Sequence, residues 1–222
     1  CLIALLGAVP PAALAADLPA GDCKRPAART DLSACDWSRA KLAGKDLRGA
    51  RFAGARMENA DFRKARLDEA DFRGSNLKWS NFSKANLKAA DFRNADLFHA
   101  IFDDADVSDG RFGGANLFGA NLINTRAVRA DFAGAHLKDI LMEGIDLSGG
   151  SMRGCYAFRG VLSGARLVGT DLSGADLTGA AAENADFSGA RLVGTKLLGA
   201  TLRFAVFKDA DMAGADLANA DV

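Results

Sequence analysis

The sequence predicts an all-β solenoid in which the chain winds as a square coil. From Leu32 to Val222 every fifth residue is apolar, through 39 consecutive positions without a change of phase. The residue two places before each of these is small, except at Lys45, Ile140 and Ile145. A strict period of five suits neither an α-helix nor a single strand, whose periods are about 3.6 and 2. A coil would satisfy this period if every five residues made one short side and one turn, with four such units in each revolution.

A second period, of 20 residues, supports four units to the coil. Phe recurs in one register as Phe52, Phe72, Phe92, Phe112 and Phe132. Another register, ten residues away and so on the opposite side of a square coil, contains Phe62, Phe82 and Phe102. Leu fills the two registers between them in the same coils. We therefore expect two facing ladders of Phe side chains in the core, flanked by Leu.

Single units show a family pattern, as in Ala60-Asp61-Phe62-Arg63-Lys64 and Ala175-Asp176-Leu177-Thr178-Gly179. This pattern resembles the pentapeptide-repeat family, whose unit is A(D/N)LXX, and the resemblance covers roughly residues 30–222. It implies a right-handed quadrilateral parallel β-helix, a pentapeptide-repeat solenoid, with the small residue and the Leu or Phe pointing inward. Coils stacked at about 4.8 Å would give a rod on the order of 45 Å long.

Composition limits the classes of partner. The chain has 222 residues, with 28 Lys and Arg against 28 Asp and Glu, so its formal net charge is zero. A balanced charge disfavours a nucleic-acid binder, which needs a basic surface, and equally a strongly acidic mimic of DNA. A single elongated domain is the simplest organisation for this length.

The start of the chain predicts export. Residues 1–16 are apolar and end in small residues, as the remnant of a secretory signal peptide would, with Ala13-Leu14-Ala15 matching the cleavage pattern. The alternative is that Cys1 is a lipidated mature N-terminus. Pro10 and Pro11 interrupt the apolar run, which is also too short to span a membrane. We therefore predict a periplasmic or secreted protein without a membrane span.

Residues 17–29 form a Pro-containing lead-in segment before the repeats. Cys23 and Cys35 are twelve positions apart, and in an exported protein a disulfide between them would hold this segment over the first coil. The alternative is that Cys35 simply occupies a small inward position while Cys23 is exposed. Cys155 also falls in the small inward register and is predicted to be a buried, inert thiol.

The outward residues show no constellation for catalysis, so we predict no enzyme, no cofactor and no metal. His99 and His136 both point outward, without Cys or His at ligand spacing. The frequent Asp before the inward residue is expected to bond to the turn backbone. Arg73, Arg93 and Arg153 share a register that is either a site for an acidic polymer or, as we favour, a face neutralised by neighbouring Asp.

One outward surface is a candidate partner surface. The 20-residue period aligns Phe98, Phe118 and Phe158 on one side of the coil, with Trp79 and His99 in the register beside them. Lys78, Lys138 and Arg159 border the same stripe. Contiguous exposed aromatic residues often mark an interaction site. The alternatives are that isolated apolar residues are tolerated there, or that the lead-in segment covers them.

Residues 140–160 are the least regular part of the repeat. Ile140 and Ile145 are bulky where Ala is usual, Ala157 replaces an inward Leu, and Gly residues cluster nearby. We predict a local bulge or kink here.

These observations together predict an exported, non-enzymatic protein-interaction or scaffold module of the bacterial envelope, with an unknown protein partner. The resemblance adds two expectations. One is a gyrase-binding, DNA-mimic type of protein, which the balanced charge and the signal-like start disfavour. The other is a homodimer through the C-terminal coil. The other alternative function is an envelope enzyme built on a β-helix, and no residue pattern supports it.

Overall fold

The computed structural model describes residues 18–222, and in this range the chain forms a continuous coil. Every fifth residue is a single bridged residue, which pairs in parallel with the residue 20 positions further on. The series runs from Asp31↔Arg51 to Thr201↔Asp221 without a gap. Each strand is thus reduced to a single bridged residue. Residues 18–222 contain no helix, and therefore no helix that could cross a membrane. The predicted signal-peptide remnant, residues 1–16, lies outside the described residues.

The turn after each inward residue repeats with the same geometry, as the unit at Phe52 shows. The Ala55 N–H donates to the Phe52 carbonyl oxygen at 2.9 Å and closes a four-residue turn. Gly54, the third residue of that turn, has φ of 71°, in the left-handed region that a type II turn requires. The Phe52 N–H donates to the Asp71 carbonyl oxygen of the next coil at 2.7 Å. Turns therefore make the corners, and inter-coil hydrogen bonds join the sides.

We name the four sides of the coil by their inward residues. Side A contains Phe72 and Phe92, side B Leu77 and Leu97, side C Phe82 and Phe102, and side D Leu87 and Val107. Each side also presents three outward positions in every coil: the bridged residue just before the inward one, and the two residues after it.

The two predicted Phe ladders fill the core. On side A the rings of Phe52, Phe72, Phe92, Phe112 and Phe132 stack with centroids 4.5–5.1 Å apart. On side C the rings of Phe62, Phe82 and Phe102 stack at 4.8–4.9 Å. The ladders meet edge to face, as Phe72 and Phe82 do with centroids 5.8 Å apart and planes inclined by 80°. Both arrangements are favoured between aromatic rings, so the core is specific as well as apolar.

The lead-in segment covers the first coil. The Gly21 N–H donates to the Asp31 carbonyl oxygen at 2.8 Å, which adds a partial coil at this end. A disulfide joins Cys23 to Cys35, with their Cα atoms 5.7 Å apart. The inward Leu32 of the first coil is wholly buried as a result. The segment thus lies over the end of the coil and away from side B of the later coils.

The bulge predicted for residues 140–160 is wrong. Bridges and inter-coil hydrogen bonds continue through this segment at their usual spacing. At Ile140, one of the two bulky residues, a small residue in the adjacent coil compensates for the larger side chain. Ile140 points inward where Ala is usual, and Gly160, its counterpart one coil on, has no Cβ. A Cβ on Gly160 would lie 3.3 Å from Cγ2 of Ile140, so the glycine provides the space that the larger side chain occupies.

The last coil leaves its inward residues less well covered. Phe207, Met212 and Leu217 are only partly buried. Association of two copies through this coil, which the family resemblance permits, stays a prediction.

Candidate partner-binding surface

Four of the five predicted surface residues lie in three consecutive coils and are in contact on side B. Trp79 meets Phe98 edge to face with ring centroids 5.5 Å apart, and Phe98 stacks on Phe118 at 5.4 Å. His99 packs against both Phe rings, at 4.3 Å from Phe98 and 5.9 Å from Phe118. The fifth predicted residue, Phe158, lies two coils further along and does not touch Phe118 directly.

Two residues that the sequence analysis did not assign to the surface, His136 and Tyr156, connect Phe158 to the rest. His136 lies 6.3 Å from Phe118 and 5.3 Å from Tyr156 between ring centroids. Tyr156 stacks on Phe158 at 6.1 Å with planes 7° from parallel. We call the connected set the aromatic strip: Trp79, Phe98, His99, Phe118, His136, Tyr156 and Phe158.

The signal that identifies His136 and Tyr156 was present in the sequence. Each is the bridged residue just before an inward residue of side B, whereas Phe118 and Phe158 come just after one. Residues on either side of an inward residue project from the same side of the coil, because alternate side chains of an extended segment point the same way. The residues of these two registers on side B therefore form one surface.

Lys138 occupies the same register of the 20-residue period as Phe118 and Phe158, in the coil between them. Its Nζ lies 5.7 Å from the centroid of Phe118 and 6.0 Å from that of Phe158. Such cation–π contacts contribute about 0.5–1 kcal/mol at exposed sites. Within the described chain Lys138 has these ring partners and no carboxylate partner. The strip is thus bordered by one cation, Lys138, that contacts its rings and is not neutralised.

The other two bordering cations are neutralised. Lys78 pairs with Asp96 at 3.1 Å, and Arg159 pairs with Asp139 at 2.7 Å. Both pairs are partly exposed, so each contributes at most about 1 kcal/mol to stability. Their main effect is to surround the apolar strip with polar groups, the arrangement common at protein interfaces.

Much of the strip is open to solvent. Trp79 is 48% exposed and Tyr156 is 38% exposed, while the three Phe rings are half-buried. Because two of the Phe rings stack on each other, their edges face outward. A shallow recess on this side is lined by Phe98, Asn116, Phe118 and His136. Ring edges around a recess suit an apolar side chain of a partner.

Trp79 also adopts a backbone conformation that the fold would more readily give to glycine. Its φ is 55°, and a non-glycine residue in the left-handed region costs roughly 1–2 kcal/mol. On side A, eight coils have Gly at the corresponding position. In the described range, 20 non-glycine residues have this conformation at the same position of the five-residue unit, so it is a feature of the repeat and not of Trp79 alone. The repeat does not require Trp there, since Asn59 and Asp139 occupy the same position on side B.

Outside the strip the outward carboxylates serve the turns, as predicted. The Asp61 Oδ1 accepts the Arg63 backbone N–H at 3.1 Å and its Nε–H at 2.8 Å, and the side-chain hydrogen bond holds the pKa of Asp61 below its usual value. Arg73 and Arg93 are bound in the same way to the Asp two residues before them. For these two arginines the neutralised face is confirmed.

Few other groups in the described range could bind a metal ion or act as a nucleophile. No three His, Cys, Asp or Glu side chains in the described range are placed so as to hold a metal ion. Cys155 is buried in the small inward register, and burial raises the pKa of its thiol to about 12. The thiol is therefore protonated and shielded at neutral pH, which makes it a poor nucleophile.

These features define a class of protein: a four-sided solenoid of five-residue units with an aromatic strip along one side. The chain belongs to the pentapeptide-repeat family. The family profile described as "Pentapeptide repeat region" matches residues 45–122, and "Pentapeptide repeats (8 copies)" matches residues 111–149, 161–192 and 185–222. Comparison with curated protein sequences gave no significant match.

Solved structures of repeat proteins are similar to the chain over much of its length. HetL, a pentapeptide repeat protein involved in heterocyst differentiation regulation from Nostoc sp. strain PCC 7120, is 29% identical over 81% of this chain and 88% of its own, with a TM-score of 0.39. A pentapeptide repeat protein from the Arabidopsis thaliana thylakoid lumen is 35% identical over 45% and 69%, with a TM-score of 0.44. QnrB1, a plasmid-mediated fluoroquinolone resistance protein, is 23% identical over 74% and 85%, with a TM-score of 0.41. TM-scores this low carry no functional argument.

Proposed function

We propose that this protein is an exported, non-enzymatic β-helix that binds a protein partner through the aromatic strip in the bacterial envelope. The observation that carries the proposal is the continuity of the strip, whose rings touch one another across five coils from Trp79 to Phe158. Isolated exposed apolar residues are common, but a connected aromatic surface with a polar border is typical of a binding site.

The strip is suited to tight binding because its rings are already ordered. Each ring contacts another ring, and the backbone beneath is fixed by hydrogen bonds to the coils on both sides. Little side-chain entropy is then lost on association, and preorganised surfaces bind more tightly for that reason. Trp and Tyr are also the residues most often found to dominate binding energy.

The strip indicates the chemistry of the partner. An apolar side chain would enter the recess beside Phe118, and the unneutralised Lys138 favours a carboxylate next to it. We therefore infer a partner segment with an apolar residue beside an Asp or Glu. A segment with Lys or Arg at the same place would be repelled.

Two observations support export. A disulfide such as that between Cys23 and Cys35 persists in oxidising compartments, and residues 1–16 have the pattern of a signal peptide. We further infer that the coil is right-handed, since parallel strands connected within one sheet wind that way in nearly all proteins.

The decisive experiment is affinity capture from envelope extract with matched variants. The test variant combines Trp79→Ser, Phe98→Ser and Phe118→Ser, and the control combines Val128→Ser, Phe204→Ser and Val206→Ser, which remove outward apolar residues elsewhere. We expect one partner to be retained by the native chain and the control but lost by the test variant, with all three chains folded by circular dichroism. Equal capture by all three would exclude the strip as the binding surface.

Export is measured separately by cell fractionation of the full-length protein. We expect it in the periplasm or the medium, with Cys23 and Cys35 joined. Accumulation in the cytoplasm with both thiols free would contradict export while leaving the binding result intact.

A further inference from the structure

We propose that the middle of side C is a second docking surface, which takes a lysine- or arginine-bearing segment of a partner protein in an extended, proline-rich conformation. The surface consists of the outward residues of five consecutive coils, from 101–104 to 181–184. Side C adjoins side B, but none of these residues belongs to the aromatic strip. The inference therefore stands or falls independently of the proposed function.

An aliphatic row forms one half of the surface. The bridged positions of the five coils are Ile101, Asn121, Leu141, Val161 and Ala181, in register through parallel bridges. Leu141, at the centre, is 37% exposed. Side D, by comparison, has Asp106, Arg126, Asp146, Arg166 and Asp186 at its bridged positions in the same stretch. Apart from Asn121, the row on side C thus offers an apolar surface where a neighbouring side offers alternating charge.

An acidic row runs beside it. Asp103, Glu143 and Glu183 come just after the inward residues of alternate coils, with Ile123 and Ser163 between them. No Lys or Arg occupies any outward position of side C in these five coils. The Ser163 hydroxyl donates to Glu183 at 2.9 Å, and Arg203, the next residue of this row, attracts Glu183 at longer range. The three carboxylates take part in none of the close ion pairs found in the described chain.

The first of these carboxylates, Asp103, has polar neighbours but takes part in no ion pair of the described chain. Asp103 Oδ2 accepts a long hydrogen bond from the Asn121 side-chain amide at 3.4 Å, and the Ile123 backbone N–H also stabilises the carboxylate. Burial, together with the adjacent Asp104, raises the pKa of Asp103. Asp104 itself is already paired with Lys84 at 3.9 Å. A cation delivered by a partner beside Oδ2 of Asp103 would offset this repulsion.

The spacing of the acidic row selects the conformation of the partner. Carboxylates on every second coil are about 9.6 Å apart, twice the usual strand spacing. In a polyproline II segment every third residue lies on the same face, about 9.3 Å apart. The alternatives match the separation of about 9.6 Å between carboxylates less well. Residues on the same face of a strand are about 6.7 Å apart, and residues seven positions apart in a helix are about 10.5 Å apart. A basic residue at every third position of a proline-rich segment would therefore meet Asp103, Glu143 and Glu183 in turn, while the prolines contact the aliphatic row.

The test uses fluorescence anisotropy with a labelled probe peptide of five Pro-Pro-Lys triplets. We expect saturable binding to the native chain. The variant combining Asp103→Asn, Glu143→Gln and Glu183→Gln should bind about tenfold more weakly, the combined effect of three exposed ion pairs. Removing the same number of charges elsewhere, with Glu69→Gln, Asp209→Asn and Asp216→Asn, should leave the affinity unchanged. Leu141→Ser should weaken binding without changing its dependence on salt.

Two further peptides separate register from net charge. One replaces every Lys with Glu and should not bind. The other has the same composition as the probe but groups its five Lys at one end, and should bind several-fold more weakly. Equal binding of the grouped peptide, equal binding by the side C variant, or no saturable binding would each overturn the proposal. Thermal unfolding of the variants serves as the check on folding, because Asp103 is partly buried and its substitution can lower stability.

Discussion

Ile140 and Gly160 face the core one coil apart, and a methyl group of Ile140 occupies the space that a side chain on Gly160 would need. A Cβ on Gly160 would lie 3.3 Å from Cγ2 of Ile140 and 3.1 Å from the Ala157 carbonyl oxygen. Other adjacent coils, such as those of Ala100 and Ala120, have Ala at both positions. The larger residue is thus accommodated by one specific partner and not by a distortion of the coil.

We predict strong coupling between these two positions. Gly160→Ala should lower the free energy of unfolding by about 1–3 kcal/mol, since a closely packed core does not accept an added methyl group without displacement. The backbone of Gly160 is not left-handed, so the cost comes from packing. Combining it with Ile140→Ala should recover at least about 1 kcal/mol relative to the sum of the single changes. Denaturant unfolding followed by circular dichroism measures the cycle, and simple additivity would contradict the compensation.

Trp79→Gly is predicted to separate folding from binding. Relief of the left-handed conformation should gain roughly 1–2 kcal/mol, while the lost edge-to-face contact with Phe98 costs about 0.5–1.5 kcal/mol. The free energy of unfolding should therefore change by no more than about 1.5 kcal/mol. Affinity for the captured partner should fall at least tenfold, as expected when a central aromatic residue is removed from an interface.

Asn59→Gly is the matched control for that change. Asn59 occupies the same position of side B one coil earlier, with φ of 58°, and lies outside the aromatic strip. Asn tolerates this conformation, so its replacement should alter neither stability nor binding appreciably. If Trp79→Gly binds as well as Asn59→Gly, Trp79 is not part of the interface.

Loss of the disulfide is predicted to destabilise the first coil. Replacing Cys23 and Cys35 with Ser should lower the free energy of unfolding by about 3 kcal/mol, because the bridge restricts the unfolded chain. Hydrogen exchange should accelerate first in the lead-in segment and around Leu32, which that segment covers. Uniformly faster exchange along the whole rod would instead indicate that the bridge does not act locally.

Cys155 is predicted to resist thiol reagents and to make stability fall at alkaline pH. Burial raises the pKa of its thiol from 9.0 to about 12, so the folded chain holds the proton more tightly than the unfolded chain. This contribution to stability is complete below pH 9 and is lost as the pH rises toward 12. A thiol-specific reagent at pH 9 should label Cys155 only after denaturation.

Cys155→Ala isolates that effect from the titration of Lys and Tyr. Ala is the usual residue in the small inward register, so the variant should fold normally. Its stability should fall less steeply between pH 9 and 12 than that of the native chain. Identical slopes would show that the thiol does not contribute.

The interior was predictable because the inward positions are fixed by two periods. A period of five identifies every inward residue, and a period of 20 places Phe52 beneath Phe72. The bulge at residues 140–160 was predicted wrongly because each residue was compared with the usual occupant of its own position. What packing requires is the right combined volume in neighbouring coils, which Ile140 and Gly160 provide.

The surface was less predictable because it depends on contacts between registers. Phe98 and Phe118 share a register, and their stacking follows from spacing alone. His136 and Tyr156 belong to another register, and their contacts with the Phe rings depend on which way the side chains lean. The position of Lys138 between two rings is a property of its neighbours and cannot be recognised from the lysine itself.

The bridge between each residue and the one 20 positions later has a consequence for how such a rod can change its length. Deleting five residues leaves the inward pattern intact but turns everything downstream by a quarter of a revolution, so that Phe158 would move to a different side from Phe98. Deleting 20 residues shortens the rod by one coil and returns each downstream residue to its own side. Surface patterns are therefore preserved only by changes in whole coils, and we expect natural variants that keep the aromatic strip to differ in length by multiples of 20 residues.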